Sequence, residues 1–206
     1  MKSHSAARVG RALIVLAGLV LAGCASAPPA NPANVCDVFF EKRSWYRDAR
    51  RASQRWQVPI GVLMAFTYQE SSFRARARPP RRRLLGFIPW TRPDAFGFAQ
   101  ATDATWSDYR RSTGRRRASR DDFGDAVDFV GWYNDQSLRR NQIPKTDAYR
   151  AYLAYHEGQG GYARQTYTAK GWLLDTARGV ASRAVAYDTQ LQGCQRRLQR
   201  RWWRPF

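Results

Sequence analysis

The chain contains few residues that commonly bind metal ions. Its 206 residues include only three cysteines and two histidines, His4 and His156. Structural and catalytic metal sites combine several such ligands at short, characteristic spacings, and the cysteines and histidines here show no such spacing. We therefore expect neither a metal site nor a cofactor.

Signals for β-strands are almost as scarce, and no internal repeat is visible. Apolar periodicity, capping residues and prolines predict helices instead. The expected helices cover residues 37–57 and 60–70, a segment from a cap at Asp103 to about residue 110, a segment from Asp121 or Asp122 to about residue 139, a segment from Thr146 or Asp147 that ends at Gly158, and residues 172–197. Gly158, Gly160 and Gly161 are expected to form a flexible turn. The fold class that follows is mainly α, with one domain over residues 36–198.

Residues 74–94 contain four prolines and have no helical period. A long loop or a small hairpin is expected there, at one edge of a cleft. The chain ends in a basic aromatic tail, residues 199–206, which either touches a membrane or packs against the domain.

The N-terminus has the pattern of an export signal. Lys2, Arg8 and Arg11 give it a positive charge, and an apolar run follows over residues 12–20. This run is too short to span a membrane comfortably as a permanent helix. We therefore expect the protein to be exported.

The residues after this run, Leu21-Ala22-Gly23-Cys24, resemble a bacterial lipobox. The resemblance implies that residues 1–23 are removed as a lipoprotein signal peptide and that Cys24 carries lipid. Ala25 is uncharged, as in outer-membrane lipoproteins, so we expect the protein on the periplasmic face of the outer membrane. Residues 24–35 would be a flexible tether. An ordinary cleaved signal with an incidental cysteine is the alternative.

Lipidation of Cys24 would leave Cys36 and Cys194, which bracket the expected domain. Because the compartment is oxidising, we expect a disulfide between them. Closing a loop of about 160 residues would stabilise the domain by roughly 4–5 kcal/mol if it acts through chain entropy. Two free buried thiols are the alternative.

One carboxyl lies at the end of an apolar helical stripe. Ile60, Leu63, Met64 and Thr67 fall at helical spacing, and Glu70 continues the same face. A carboxyl on the last turn of a half-buried stripe is partly desolvated, which raises its pKa and suits a general acid near neutral pH. Glu70 is therefore the candidate catalytic residue, and a surface glutamate at a helix end is the alternative.

Three motifs follow one another in order along the chain. They are Glu70-Ser71, the segment from Gly97 to Gln100, and Ala154-Tyr155-His156-Glu157-Gly158. From about Cys36 to Cys194 the chain resembles the lytic transglycosylases with a soluble-transglycosylase (SLT), lysozyme-like domain. In that family the first motif is the catalytic pair, the second is a Gly-x-x-Gln motif that lines the cleft, and the third, usually Ala-Tyr-Asn-x-Gly, closes the site. The resemblance implies a lysozyme-like domain that cleaves peptidoglycan.

The chain departs from the family pattern in two places. His156 stands where the family usually has asparagine, and histidine donates and accepts hydrogen bonds but also titrates. We expect His156 either to contact the substrate or to make a structural hydrogen bond. The segment between Glu70 and Gly97 is longer than is common in the family, and it is basic.

The resemblance also implies roles for the remaining motif residues. Ser71 would hydrogen-bond the substrate or Glu70, and Gln100 would contact sugar or support the catalytic loop. Tyr155 would hydrogen-bond the catalytic carboxyl or the substrate, and Glu157 would approach the cleft with its motif. A purely structural role is the alternative for Ser71, Gln100 and Tyr155, and Glu157 is expected to bind the substrate.

The resemblance implies a mechanism with one catalytic carboxyl. Glu70 would protonate the glycosidic oxygen between N-acetylmuramic acid and N-acetylglucosamine, and would then take the proton of the muramic C6 hydroxyl. That hydroxyl would attack the anomeric carbon and leave a 1,6-anhydro end. A hydrolytic glycosidase usually needs a second carboxylate, and Asp94, Asp103 and Glu157 are acids whose positions the sequence does not define.

Three other functions remain open at this point. A wall-binding lipoprotein would keep the fold without catalysis, and His156 is the feature that favours it. A hydrolytic muramidase would leave reducing muramic ends. An interaction module would dock onto lipid phosphates or an envelope machine, and its function would not depend on Glu70.

Basic residues greatly outnumber acidic ones, with 35 lysines and arginines against 16 aspartates and glutamates and a formal net charge of +19. Two stretches are especially rich in arginine and contain Arg74, Arg76, Arg78, Arg81, Arg82, Arg83 and Arg92, and Arg115, Arg116 and Arg117. Such a surface attracts polyanions or anionic membranes. Export argues against nucleic acid, whereas carboxylates of peptide-bearing glycan and phosphates of outer-membrane lipid both fit. We expect a monomer whose partners are peptidoglycan strands and the membrane, and a solvated basic surface is the alternative for the arginine runs.

Overall fold

The computed structural model describes residues 27–79 and 94–200, together with the backbone of residues 83–84 and 88–89. The helices in these ranges are α1 (Val35–Glu41), α2 (Arg43–Trp56), α3 (Ile60–Ser71), α4 (Asp103–Thr113), α5 (Phe123–Asn141), α6 (Ala148–Ala163) and α7 (Gly171–Arg200). Strands β1 (Arg83–Leu84) and β2 (Ile88–Pro89) pair as an antiparallel hairpin. The prediction of a mainly α, lysozyme-like domain is confirmed.

Some predictions lie outside the described residues. These are the signal peptide (1–23), the lipidation of Cys24, the start of the tether and the last six residues of the tail. The first two residues of the predicted tail belong to α7, which continues to Arg200. Within the described ranges, no helix is both long and apolar enough to traverse a bilayer.

Two predicted helices are interrupted. The helix expected over residues 37–57 is split into α1 and α2, because Lys42 (φ −106°, ψ 70°) leaves the helical conformation. Helix α6 does not end at Gly158, since that residue has φ 74° and ψ 160° and the helix then resumes as far as Ala163. The predicted flexible turn is therefore wrong for Gly160 and Gly161, which are helical.

Polar side chains cap the start of four described helices. Backbone N–H groups donate to Asn34 Oδ1 at α1 (2.9 Å), to Thr102 Oγ1 at α4 (3.3 Å), to Asp122 Oδ1 at α5 (2.9 Å) and to Asp147 Oδ1 at α6 (2.9 Å). The cap of α4 is thus Thr102 and not the predicted Asp103, which is the first helical residue. A carboxylate at that position still interacts favourably with the helix dipole.

Helix α3 runs through the centre of the domain. All its residues from Gly61 to Thr67 are buried, and it packs against α2, α5 and α7. The sequence predicted that only one face of α3 would be buried. In the structure, the side chains on every face of this part of the helix are buried. Close packing depends on Gly61, where a Cβ would lie 2.3 Å from the carbonyl oxygen of Ala184 in α7.

The expected disulfide between Cys36 in α1 and Cys194 in α7 is confirmed. The residues of the hydrophobic core, with those packed against it, lie between Val35 and Leu198. A chain of residues 25–206 therefore keeps every described residue of the core and the disulfide, and we expect it to fold without the predicted signal peptide.

The second half of the predicted tether is docked on the helices. The Ala30 N–H donates to Glu41 Oε2 (2.8 Å), the Tyr187 hydroxyl donates to the carbonyl of Pro32, and Gln190 Nε2 donates to the carbonyl of Ala33 (3.2 Å). The last residues of the segment predicted to be flexible (24–35) are therefore held by hydrogen bonds to α1 and α7.

A buried carboxylate joins three helices. Asp128 of α5 accepts hydrogen bonds from the Tyr109 hydroxyl (2.7 Å) and Trp56 Nε1 (3.0 Å). Arg55 and Arg115 each lie 3.3 Å from the same carboxylate. Since a buried charge is costly unless it is paired and hydrogen-bonded, this network fixes α2 and α4 against α5.

Candidate active site

Glu70 lies in the last turn of α3, directly before an abrupt turn of the chain. Ser72 and Phe73 both adopt the left-handed backbone conformation, with φ of 51° and 59°, which is unusual for a residue with a bulky side chain. The turn brings the fully buried Phe73 ring against Trp45, with 5.7 Å between ring centroids. The end of α3, and with it Glu70, is therefore held in a defined position.

The surroundings of the Glu70 carboxyl shift its protonation equilibrium. The residue is partly buried, and burial of the carboxyl raises the pKa of Glu70 to about 7. The Tyr152 hydroxyl donates a hydrogen bond to the carboxyl, which lowers this pKa but is the smaller effect. Burial raises the pKa because it disfavours the ionised form of the carboxyl, and it is the larger of the two effects. A large fraction of Glu70 is therefore protonated at neutral pH.

Two tyrosines of α6 face this end of α3. Tyr152 and Tyr155 are separated by about one helical turn, and each ring packs on Phe66 of α3 with 5.3 Å between centroids. Burial raises the pKa of both hydroxyls well above the ordinary value, and the charge of Glu70 raises it further. Both hydroxyls therefore remain neutral hydrogen-bond donors.

The two tyrosine hydroxyls have different acceptors. The Tyr152 hydroxyl acts on the Glu70 carboxyl and lowers its pKa, whereas the Tyr155 hydroxyl donates to the carbonyl oxygen of Ala99 (2.5 Å). Of the two hydroxyls it is that of Tyr152, and not that of Tyr155 as expected, whose hydrogen bonding lowers the pKa of the Glu70 carboxyl. Contact between Tyr155 and the substrate stays a prediction.

The segment from Gly97 to Gln100 forms a loop that is hydrogen-bonded to Ala77. Gln100 Nε2 donates to the carbonyls of Ala77 (2.9 Å) and Gly97 (2.7 Å), and the Gly97 N–H donates to Ala77 (3.0 Å). Gly97 has φ 80°, and a Cβ there would lie 2.0 Å from the carbonyl oxygen of Arg120. Gln100 therefore supports the loop that holds Ala99, which is one of the two roles expected for it, and contact with sugar stays a prediction.

Ser71 is engaged in structural hydrogen bonds. The residue is 2 % exposed, and its hydroxyl donates to the carbonyl of Thr67 (2.9 Å). Its own carbonyl accepts from the Arg74 N–H (3.1 Å) and from Arg74 Nε (3.0 Å). This geometry favours the structural alternative for Ser71, and its contact with the substrate stays a prediction.

The third motif continues into the corner between α6 and α7. The Glu157 side chain is 4 % exposed, and both carboxylate oxygens accept from Lys170 Nζ (2.7 and 2.8 Å). Burial raises the pKa of Glu157, but the hydrogen bonds from Lys170, Thr166 and His156 outweigh it and hold the pKa at about 2. A paired and permanently ionised carboxylate favours a structural role, and substrate binding by Glu157 stays a prediction.

His156 is exposed beside this ion pair. Its Nδ1 lies 3.1 Å from Glu157 Oε1, and its ring meets the edge of Trp172, with 5.1 Å between centroids. Trp172 is 58 % exposed on the first turn of α7. His156 is therefore available to solvent on one side, and the structure gives it a structural partner on the other.

The other acids considered for a second catalytic carboxylate have structural partners. Asp94 Oδ2 accepts from the Asp103 N–H (3.0 Å), and Asp103 pairs with Arg120 (2.6 Å). The effects on the pKa of Glu70 are burial and the Tyr152 hydrogen bond, and no described carboxylate contributes. The described residues also contain no cluster of three or more possible metal ligands.

The motifs in the sequence did not identify Tyr152 as a residue of the site. It is 4 % exposed and lies in a run of apolar and aromatic residues, where a core role is the usual interpretation. The available signal was its position three residues before Tyr155, which places both side chains on one face of a helix.

Comparison with protein families gives a match that covers most of the chain. The family model described as "Transglycosylase SLT domain" matches residues 12–194. No curated protein and no solved structure matches the chain. The family acts on peptidoglycan in the manner of lytic transglycosylases, and the partly buried glutamate at the end of a central helix fits that activity. The chain belongs to the transglycosylase SLT domain family.

Proposed function

We propose that the protein is a peptidoglycan lytic transglycosylase in which Glu70 is the single catalytic carboxyl, acting first as acid and then as base. The observation that carries the proposal is the partly buried position of Glu70 in the last turn of the central helix α3, where burial raises its pKa to about 7. A group with a pKa near the working pH exchanges a proton in both directions at small cost.

The first step is protonation of the leaving group. Glu70 donates its proton to the glycosidic oxygen between N-acetylmuramic acid and N-acetylglucosamine, and the bond from that oxygen to the muramic anomeric carbon breaks. The carboxylate that remains accepts the hydrogen bond from Tyr152. Because this bond favours the ionised form, Tyr152 stabilises the product of the first step.

The second step closes the ring. The C6 hydroxyl of the muramic sugar attacks the anomeric carbon, and its proton passes to Glu70, which is ready for the next cycle. The new end is a 1,6-anhydro sugar, and no water is consumed. The absence of a contribution from any described carboxylate to the pKa of Glu70 supports this route over hydrolysis, which usually needs a second carboxylate.

The chemistry of the new ends tests the proposal. Purified peptidoglycan is digested with residues 25–206, and the products are analysed by mass spectrometry. We expect 1,6-anhydro-muramic ends. Reducing muramic ends would assign a hydrolytic muramidase, and glycan that is bound but not cleaved would assign a binding protein. Either result would contradict the proposal.

Replacing Tyr152 by phenylalanine should move the pH dependence of cleavage. The hydrogen bond from Tyr152 lowers the pKa of Glu70, so its loss raises that pKa further above the value of about 7. Since the acid form starts the reaction, we expect the activity of the wild type to fall as pH rises through about 7. In Tyr152→Phe we expect the fall in activity to occur about one pH unit higher, because losing a hydrogen bond to a charged group changes a pKa by about that amount.

The matched control for this variant is Tyr149→Phe, which removes a hydroxyl from the preceding turn of the same helix. Its pH profile of cleavage should coincide with that of the wild type. An unchanged profile in Tyr152→Phe would show that this hydroxyl does not act on the catalytic group.

We also propose that lipid on Cys24 anchors the protein at the periplasmic face of the outer membrane. The proposal rests on the lipobox-like residues Leu21-Ala22-Gly23-Cys24 and on the uncharged Ala25. Cys24→Ser should move the full chain from the membrane fraction to the soluble periplasmic fraction. If Cys24 carries no lipid, the variant and the wild type will appear in the same fraction, which would contradict the proposal.

A further inference from the structure

A groove lies between α1, α2 and the end of α7. Its volume is about 730 Å³. Its apolar wall is formed by side chains from all three helices, namely Phe39, Phe40, Tyr46 and Leu198. Arg197 of α7 lies against this wall, 4.9 Å from the centroid of the Phe40 ring. The groove therefore combines an aromatic surface with positive charge.

The rim of the groove is an arginine stripe on α2. Arg43, Arg47, Arg50 and Arg51 all line the groove, and their spacing places them on one face of the helix. The described lining residues include no carboxylate. Asp48, which pairs with both Arg51 (2.5 Å) and Arg47 (3.6 Å), is the acid closest to the stripe in sequence. The rim thus keeps an excess of positive charge.

We infer that this groove binds an anionic phospholipid at a bilayer surface. Arginine side chains bind phosphate oxygens through paired N–H donors, which suits the rim. The aromatic wall suits the apolar part of a lipid, and a free phosphate would leave that wall uncovered. The formal net charge, which is still +16 without Lys2, Arg8 and Arg11 of the expected signal peptide, adds a long-range attraction to an anionic surface.

The groove lies far from the His156 end of the site. Helix α7 begins beside His156, where Trp172 meets it, and reaches the groove at Leu198. These two residues are separated by about 40 Å along the helix. A lipid surface held at the groove therefore leaves the His156 end of α7 free for glycan.

Vesicle binding tests this inference. Residues 25–206 are sedimented with phosphatidylcholine vesicles that contain or lack phosphatidylglycerol. The test variant is Arg43→Gln with Arg50→Gln, and the matched control is Arg116→Gln with Arg117→Gln, which removes the same charge from exposed arginines outside the groove. We expect the wild type to bind only the anionic vesicles, the groove variant to bind them about tenfold more weakly, and the control to lose much less.

Three results would overturn the inference. An equal loss in both double variants would mean that net charge alone attracts the membrane. Loss of binding in a chain that ends at Arg200, with the groove arginines intact, would assign the lipid contact to residues 201–206. Displacement from vesicles by inorganic phosphate at constant ionic strength would mean that the groove takes free phosphate.

Discussion

Replacing Glu70 by glutamine is expected to lower the rate of peptidoglycan cleavage by at least about 10²- to 10⁴-fold, the usual contribution of a positioned acid or base. Glutamine keeps the size of the side chain but cannot donate a proton to the glycosidic oxygen. Because one carboxyl serves both steps of the proposed mechanism, the substitution removes the acid and the base together. The measurement is the rate at which soluble muropeptides are released from purified peptidoglycan.

Glu41→Gln is the matched control, since it makes the same chemical change in α1, where the carboxylate accepts from Ala30. Its cleavage rate should equal that of the wild type. A Glu70→Gln variant that retains most of the activity would contradict the assignment of the catalytic residue.

The same substitution should not destabilise the fold. The folded-state pKa of Glu70 is raised from 4.5 to about 7, so wild-type stability falls as pH rises from the unfolded value through 7. Glutamine carries no such cost, and Glu70→Gln should be about 3 kcal/mol more stable than the wild type above pH 7, with the advantage absent below pH 4. Loss of activity with retained or increased stability separates a catalytic role from a structural one.

Removing the disulfide is expected to produce the second large effect. Cys36→Ser with Cys194→Ser releases a constraint across 158 residues, which should lower the free energy of unfolding by about 4–5 kcal/mol. For a domain of this size the melting temperature should fall by about 10–15 °C. Thermal unfolding of residues 25–206, followed by circular dichroism, measures the change.

Reduction of the wild type supplies the control for the disulfide. A reducing agent should lower the melting temperature of the wild type to that of the double variant and should leave the double variant unchanged. A wild-type melting temperature that does not respond to reduction would show that the cross-link contributes little to stability.

The helical fold and the position of Glu70 could be predicted from the sequence, because apolar periodicity and caps such as Asp122 and Asp147 are local signals. Several helix ends could not be predicted in the same way. Gln57, Ser72 and Gln142 end their helices in the left-handed conformation, which sequence analysis normally assigns to glycine or asparagine. The break at Lys42 also has no proline or glycine to mark it.

The partners of the site residues depend on packing between distant elements, and the sequence did not define them. The motif containing Tyr155 and His156 was visible, but the residue that bonds Glu70 is Tyr152, which resembles a core aromatic residue in sequence. Glu157 was expected near the cleft, yet Lys170, thirteen residues away, holds its carboxylate. Such contacts follow from the way α6 meets α3 and α7, which periodicity does not specify.

The source of the attacking oxygen tests the proposed reaction most directly. Purified peptidoglycan is digested by residues 25–206 in water enriched in oxygen-18, and the masses of the new muramic ends are measured by mass spectrometry. Attack by the C6 hydroxyl predicts 1,6-anhydro ends that contain no label. Reducing ends that carry oxygen-18 would show that water is the nucleophile, and would contradict the single-carboxyl transglycosylase mechanism.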